Sequence, residues 1–445
     1  MTNMYNTNEE RAELIKRKLA NTLKYAYNNS SFYRKMFDSK KLTPEDITSP
    51  EQLLKKLPIV DKNDLITNQP LNGIFEFFSA PNATNTILYT SGTTGRPKII
   101  AMSDTDLKVY ERDCRIMYEM NGIKKGDVVL DMYPFGINAS GFMSWAGFKE
   151  MGVQVVPLGV SPFPPKELII KMHKPNVLFG LTSYIERLAL ELHGKGLEPT
   201  ELGIKTIAVG GESSTKEKRE KISNLYNADV VDIYGTTEFG AVGADCNKKD
   251  GVHVMDHAVL VTVVDPETNK EVEDGKVGKL IITKLMDEFE TPGTILINYF
   301  IGDEAKIISR DVCDCGRPYM RISNPRRADG AVFVSGAKID QHDLESIITN
   351  AENRELLTGD FEIIVDSKPD GIYELLCRVE PKSGAIIPEG YAEQIANALK
   401  SINFPLANEV MGRRIDFSVR LVKDNEFELC KKPGKPKRIL DLRKE

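Results

Sequence analysis

The sequence lacks any apolar run of the roughly 18 residues that a membrane span needs. Its opening residues, Met1 to Glu10, are too polar for a secretory signal. A cytoplasmic protein without membrane association is therefore expected. Cysteine is scarce, with six in 445 residues, at positions 114, 246, 313, 315, 377 and 430. So few thiols exclude a disulfide framework in a chain of this length and leave reduced thiols or a metal site. An excess of positive charge is also missing. The formal net charge of −6 gives no electrostatic reason to expect nucleic acid, so any polyanion must be held by a local site. Internal repeats and low-complexity tracts are absent. No Ser-His-Asp or Cys-His arrangement marks a protein nucleophile.

What is present is the composition of a soluble globular protein, 41% hydrophobic and 28% charged, in a chain long enough for two or more domains. Residues 10–40 read as helix, with Leu14, Ile15, Leu19, Leu23 and Tyr27 near a 3.6-residue period. From about 84 to 240, strands at 87–89, 127–132, 153–158, 205–209 and 229–234 alternate with helical stretches, which predicts parallel α/β layers. From about 253 to 310 the pattern becomes antiparallel β, with strands at 258–264 and 278–284 around the turn at 265–270. After Asn324-Pro325-Arg326-Arg327 comes a smaller α+β segment: strands at 361–365 and 373–379, a helix at 390–402 and a last strand at 416–421. The expected fold is α/β, with a large domain over 1–326 that includes a β subdomain and a small α+β domain over 327–445.

The strongest local signal is Leu88-Tyr89-Thr90-Ser91-Gly92-Thr93-Thr94-Gly95-Arg96-Pro97-Lys98. Its glycines let the backbone turn tightly and approach an anion, and exposed N–H groups in such a turn form an anion-binding concavity. Hydroxyls and two cations add to it, and triphosphate is the natural ligand. A flexible Ser/Thr/Gly turn does not account for the Arg-Pro-Lys ending. A Walker loop needs Ser or Thr after the lysine, and Ile99-Ile100 stands there instead.

Further segments follow in order: Gly210-Gly211-Glu212 after a strand, Tyr234-Gly235-Thr236-Thr237-Glu238, Tyr299-Phe300-Ile301-Gly302-Asp303, Arg326-Arg327-Ala328-Asp329-Gly330, Ser335-Gly336-Ala337-Lys338-Ile339, and Lys432-Pro433-Gly434-Lys435-Pro436-Lys437-Arg438. With the Gly/Thr loop, this order resembles the adenylate-forming superfamily of acyl-CoA ligases, firefly-type luciferases and peptide-synthetase adenylation domains. The resemblance implies that Ser91, Gly92, Thr93, Thr94, Gly95 and Lys98 hold phosphates. Gly211 and Glu212 line the adenine pocket, with Gly235 and Thr236 beside Tyr234, whose ring stacks on the base. Thr237 meets the α-phosphate, Glu238 holds Mg2+, and Asp303 accepts from both ribose hydroxyls. Arg327 contacts ribose or phosphate, and Asp329 is the pivot that makes the small domain mobile. The Gly336 loop approaches the pantetheine arm of coenzyme A, and Lys435 is the catalytic lysine, with Lys437 the runner-up. The sequence departs from the family at Asn298, where many members carry Arg, and in the missing first Gly and second Asp of the hinge motif.

Within the superfamily, Tyr25-Ala26-Tyr27-Asn28-Asn29-Ser30-Ser31-Phe32-Tyr33-Arg34 and Leu57-Pro58-Ile59-Val60-Asp61-Lys62 resemble the phenylacetate–CoA ligase group. The resemblance implies two half-reactions: a small carboxylic acid attacks the α-phosphate of ATP, then a thiol attacks the acyl-adenylate and releases AMP. Coenzyme A is the expected acceptor, with a carrier protein as the alternative, and a homodimer is left open. The aromatic segment Tyr133 to Phe142 leans towards an aryl acid. Closely spaced thiols at Cys313-Asp314-Cys315 suggest metal. This stretch and Cys246 to His257 resemble phenylacetate–CoA ligase segments whose Cys and His residues look placed for zinc. Cys246, His253, Cys313 and Cys315 would form a closed, structural Cys3His set, with His257 as substitute fourth ligand.

Overall fold

The computed structural model describes residues 5, 7–68, 86–89, 98–135, 139–149, 151–159, 165–212, 214, 216–328, 331–350, 352–423, 427 and 439–443. They fall into two compact units, one of Met1–Thr90, Lys98–Thr182 and Lys195–Arg326, the other containing Ser183–Gly194 and Arg327–Glu445. Both mix helices with sheet, as the sequence pattern predicts.

The first unit opens with two helices where the periodicity alone predicts one. Asn8–Asn29 is capped by Thr7, with Glu9 and Glu10 complementing the helix dipole in its first turn. It buries Ile15, Leu19, Leu23 and Ala26 along one face. At Ser30 the backbone turns extended, and the serine side chain caps Ser31–Ser39 by accepting from the Tyr33 amide. Local capping by Ser overrides the continuing apolar period here. The break aims Tyr33 and Phe37 into the core, and the Tyr33 hydroxyl accepts from the Ile297 amide at 2.8 Å.

Among the described residues the central sheet has nine strands. Five are parallel, in spatial order Gln154–Pro157, Val128–Asp131, Val177–Gly180, Thr206–Gly210 and Asp229–Thr236. Val129, Leu130, Leu178, Phe179, Ile207, Ala208 and Val209 are buried, the near-continuous apolar content of strands covered on both faces. Gly240–Ala244, Val252–Val254, Arg321–Ile322 and Ile307–Ser309 extend the sheet antiparallel. Val177–Gly180 falls outside the sequence reading because four buried residues carry no period of their own. The expected β subdomain is present. Val259–Val264 pairs antiparallel with Gly278–Lys284, and that strand with Tyr299–Ala305. Asp265 makes the intervening turn by accepting from the amides of Glu267 and Thr268.

In the second unit Leu357–Ser367 pairs antiparallel with Tyr373–Pro381, flanked in parallel by Ile439–Asp441 and Ile415–Leu421. The strand at 416–421 is therefore not the last, as three more residues of strand follow at 439–441. Helices Gln341–Ile348, Tyr391–Ile402 and Phe404–Met411 also belong to this unit, whose core includes Leu344, Ile363, Leu375, Ile395 and Leu399.

Candidate nucleotide site and thiol cluster

A hairpin carries the centre of the candidate site. Strand Asp229–Thr236 returns as Gly240–Ala244 through a three-residue turn, with a register shift at Tyr234/Gly235. Gly240, the first strand residue after the turn, has φ +72°, a conformation that favours glycine. A Cβ there would also overlap the Tyr110 ring at 2.2 Å. The Thr236 hydroxyl accepts from the Phe239 amide at 3.1 Å. This short turn leaves Thr237 and Glu238 at the tip of the hairpin.

Two polar links tie the hairpin to its surroundings. The Glu238 carboxylate pairs with the Lys98 ammonium, which also lies 5.9 Å from the centre of the Tyr299 ring. The Tyr234 hydroxyl donates to Asp303 Oδ2 at 2.7 Å. Asp303 follows Gly302 at φ +91° on strand Tyr299–Ala305 and is 6% exposed. Four residues that the sequence scatters over 205 positions, from Lys98 to Asp303, are thus joined in two pairs around one hairpin.

Gly211 follows strand Thr206–Gly210, at the carboxyl end of the parallel strands, where open α/β sheets bind their ligands. It has φ +79°, and Leu181 Cδ2 would lie 3.2 Å from a Cβ placed there. The Tyr133 hydroxyl donates to the Gly210 carbonyl at 3.0 Å. Tyr133 is itself held by buried Asp131, which accepts from the Tyr133 amide at 3.1 Å and from the Ser144 hydroxyl at 2.6 Å. Burial pushes the Asp131 carboxyl up to about 7. Glu212 comes next in the chain and is half-buried.

The flanks of the Gly/Thr segment, Thr86–Tyr89 and Ile99–Met102, pair antiparallel with Tyr89 opposite Ile99. Ser91, Gly92, Thr93, Thr94 and Gly95 lie outside the described residues, as do Asp329, Lys435 and Lys437. Arg327 is the half-buried second residue of a two-residue strand, after Arg326, which pairs with Glu304 at 2.6 Å. Gly336 and Ser335 form the two-residue turn between Ala331–Val334 and Ala337–Asp340, with φ +85° and +50°. Positive φ at both positions defines a type I′ hairpin. The Ser335 hydroxyl donates to Glu409 at 2.7 Å.

Asn298, the departure from the family pattern, has its own structural reason. Its φ is +49°, a conformation that asparagine tolerates better than most residues. Its side-chain amide donates to the carbonyls of Leu53 and Leu57 at 3.3 and 3.1 Å. Val60 pairs with the same segment, donating to the Asn298 carbonyl at 2.9 Å. The residue thus joins the N-terminal helices to the strand that carries Asp303. Sequence reasoning also passed over the pair of buried Asp106 and half-buried Lys284. Both line a small cavity with Met102, Tyr110, Thr237 and Glu238. Separated by 178 positions, they carry no local motif.

Cys246, His253, Cys313 and Cys315 converge, with one ligand atom from each lying within 4.8 Å of all the others. Cys246 Sγ is 4.0 Å from Cys313 Sγ, and Cys315 Sγ is 3.7 Å from His253 Nε2. Around a tetrahedral ion with Zn–S bonds of about 2.3 Å, sulfurs lie about 3.8 Å apart, so the spacing fits zinc. The amides of Lys248 and Cys315 point at Cys246 Sγ and Cys313 Sγ, at 3.4 and 3.5 Å, which suits negative sulfur, whereas burial pushes the Cys246 thiol up to about 12, so a bound cation would have to hold it as thiolate. Burial, with Arg317 and Arg321 nearby, holds His253 down at about 4 and so neutral, the form that ligates metal. His257 lies outside this cluster. Its Nε2 lies 3.1 Å from Asp113 Oδ1, in a buried pair elsewhere.

Residues 28–285, more than half of the chain, match the AMP-binding enzyme family, and the chain belongs to that family of enzymes. The phenylacetate-coenzyme A ligase of Thermus thermophilus is 25% identical over 98% of this chain and 97% of its own length. That of Aromatoleum evansii is 28% identical over 74% of this chain and 72% of its own. A solved structure of 2-hydroxyisobutyryl-CoA ligase, in complex with 2-HIB-AMP and CoA, superposes with a TM-score of 0.81 over 98% of this chain and 91% of that one. At 23% identity, this is a likeness of fold.

Proposed function

We propose that this protein joins an aryl carboxylic acid, of the phenylacetate kind, to coenzyme A through an acyl-adenylate. The acid attacks the α-phosphate of ATP and pyrophosphate leaves. The thiol of coenzyme A then attacks the acyl carbon and AMP leaves. The observation that carries this reading is the hairpin Asp229–Ala244, which sets Tyr234 against Asp303 and Glu238 against Lys98. One element thus presents an aromatic face and a ribose-type carboxylate at one end and a cation–carboxylate pair at the other. Adenine and ribose suit the first end, phosphates and a cation the second.

The physical obstacle is repulsion between the acid and the triphosphate. Two unit charges about 4 Å apart at an effective dielectric of 20 repel by about 4 kcal/mol. Lys98 offsets part of that, together with the N–H groups of the Gly/Thr loop at 91–95 and with Lys435. A hard cation suits Glu238, whose carboxylate is here neutralised by the Lys98 ammonium. When bound, Mg2+ supplies charge neutralisation of the phosphates. Asp329 and the Gly336 turn are assigned to the hinge and to the pantetheine arm by family resemblance, and Arg327 to ribose or phosphate.

The thiol cluster is proposed as a structural zinc site. Its four donors leave no open position, and it joins the loops at 246 and 313–315 to strand Val252–Val254. Free thiols in such a cluster suit a reducing compartment, and the cytoplasm is the proposed location. The described helices include none long and apolar enough to cross a membrane.

The experiment is pyrophosphate release against a panel of aryl, aliphatic and amino acids, with coenzyme A or a carrier protein as acceptor. Release with aryl acids and thioester formation on coenzyme A are expected. Activity confined to amino acids or to a carrier thiol would contradict the assignment.

A further inference from the structure

The hydrogen bond between Tyr234 and Asp303 joins residues 69 positions apart in sequence and in different sheets, Tyr234 in the nine-stranded sheet and Asp303 in the four-stranded one. It lies where each strand is locally irregular. Tyr234 borders the register shift of its hairpin, and Asp303 follows a glycine at φ +91°. Such positions re-aim side chains away from the regular alternation of a strand.

A carboxylate only 6% exposed is costly unless it is hydrogen-bonded, and a phenol donating to it at 2.7 Å is a charge-assisted contact of the strong kind. A carboxylate has about four lone-pair sites, so accepting one phenol proton on Oδ2 does not use up its capacity for a vicinal diol. The phenol does remove a freedom. With Oδ2 held, the plane of the carboxylate is set relative to the Tyr234 ring.

We infer that Tyr234 is a positioning residue for Asp303, holding the carboxylate at the angle that reads a ribose diol and so setting the preference for ribonucleotides over deoxynucleotides. The inference rests on the adenine and ribose assignment made above and adds a second role to the tyrosine: its ring face meets the base, and its hydroxyl orients the group that meets the sugar. The two recognition elements then act as one unit, and the hydroxyl contributes to affinity only when the sugar has hydroxyls to offer.

The test is binding of AMP and of 2′,3′-dideoxy-AMP, measured by calorimetry on the full chain and on Tyr234→Phe. The variant keeps the stacking ring and loses one hydroxyl. An approximately tenfold loss is expected for AMP, the scale of one charge-assisted hydrogen bond, and less than about twofold for the dideoxy nucleotide. On an Asp303→Ala background, Tyr234→Phe should cost less than about twofold for either nucleotide, because the hydroxyl then has nothing to orient. Tyr234→Trp also keeps an aromatic face without that hydroxyl, and supplies the same comparison should Tyr234→Phe not fold. Equal losses for both nucleotides, or an undiminished loss on the Asp303→Ala background, would overturn the inference alone. Failure of the unsubstituted chain to bind either nucleotide would overturn the adenine and ribose assignment beneath it.

Discussion

Lys98 pairs with Glu238 across 140 positions of sequence, and both groups are largely buried. The free enzyme therefore keeps a charge pair where a phosphate and its cation are proposed to enter. Either partner alone would be left as an uncompensated charge. Glu238→Gln and Lys98→Ala should each slow acid-dependent pyrophosphate release by about 100-fold, the scale of losing one preorganised charge. Glu238→Gln should also raise the Mg2+ concentration for half-maximal rate. An unchanged Mg2+ requirement would remove Glu238 from the cation site.

Asp303→Ala should weaken binding of ATP and AMP while the protein stays folded. Calorimetry with AMP beside a melting curve measures both. Unchanged affinity would take Asp303 out of the nucleotide site.

By family resemblance, Lys435 is proposed to act in the first half-reaction only. Lys435→Ala should abolish acid-dependent pyrophosphate release, while thioester formation from supplied acyl-adenylate largely survives. Equal loss of both half-reactions would contradict a lysine that serves one step and withdraws for the other. The same loss in Lys437→Ala, with Lys435→Ala active, would move the role two residues on.

Protein purified without added metal should contain about one zinc per chain. Removing that zinc should lower the melting temperature before it lowers the rate of either half-reaction, because a closed site holds loops and not substrate. Well under one zinc per chain, with unchanged melting after chelation, would rule the site out.

Asp131 predicts a pH dependence of stability. Its folded-state value is raised from 3.8 to about 7 by burial, so between those values the native state holds the proton more tightly than the unfolded chain. The stability tied to that proton is fully present below the unfolded value and lost as pH rises through about 7, up to about 4 kcal/mol. Asp131→Asn lacks the titration. Measured by denaturant unfolding, wild type should lose stability relative to the variant between pH 5 and pH 8. Parallel curves would show that Asp131 is ionised throughout.

Much of this molecule was legible because its local signals agree with its fold. The strands at 229–234 and 278–284 read directly from sequence, since their apolar content and turn residues point the same way. The Cys3His set was legible as residue types, and the structure adds their convergence. What the sequence hid was tertiary. Ser30 looks like one more residue of a long helix until its side chain caps the next one. Asn298 looks like the loss of an arginine until its amide reaches Leu53 and Leu57. His257 stands beside His253 as a substitute ligand until the structure pairs it with Asp113 and sets His253 among the thiols. No local pattern marks the Tyr234–Asp303 bond, because its partners belong to different sheets.

The central claim is that acid activation and thioester formation occur at one site with AMP as the nucleotide product. Quantifying all products of a single incubation with ATP, Mg2+, phenylacetate and coenzyme A tests it most directly. The account predicts AMP, pyrophosphate and acyl-CoA in equal amounts, with none formed when the acid is left out. ADP and inorganic phosphate in place of AMP and pyrophosphate, or nucleotide turnover that ignores every acid offered, would contradict it.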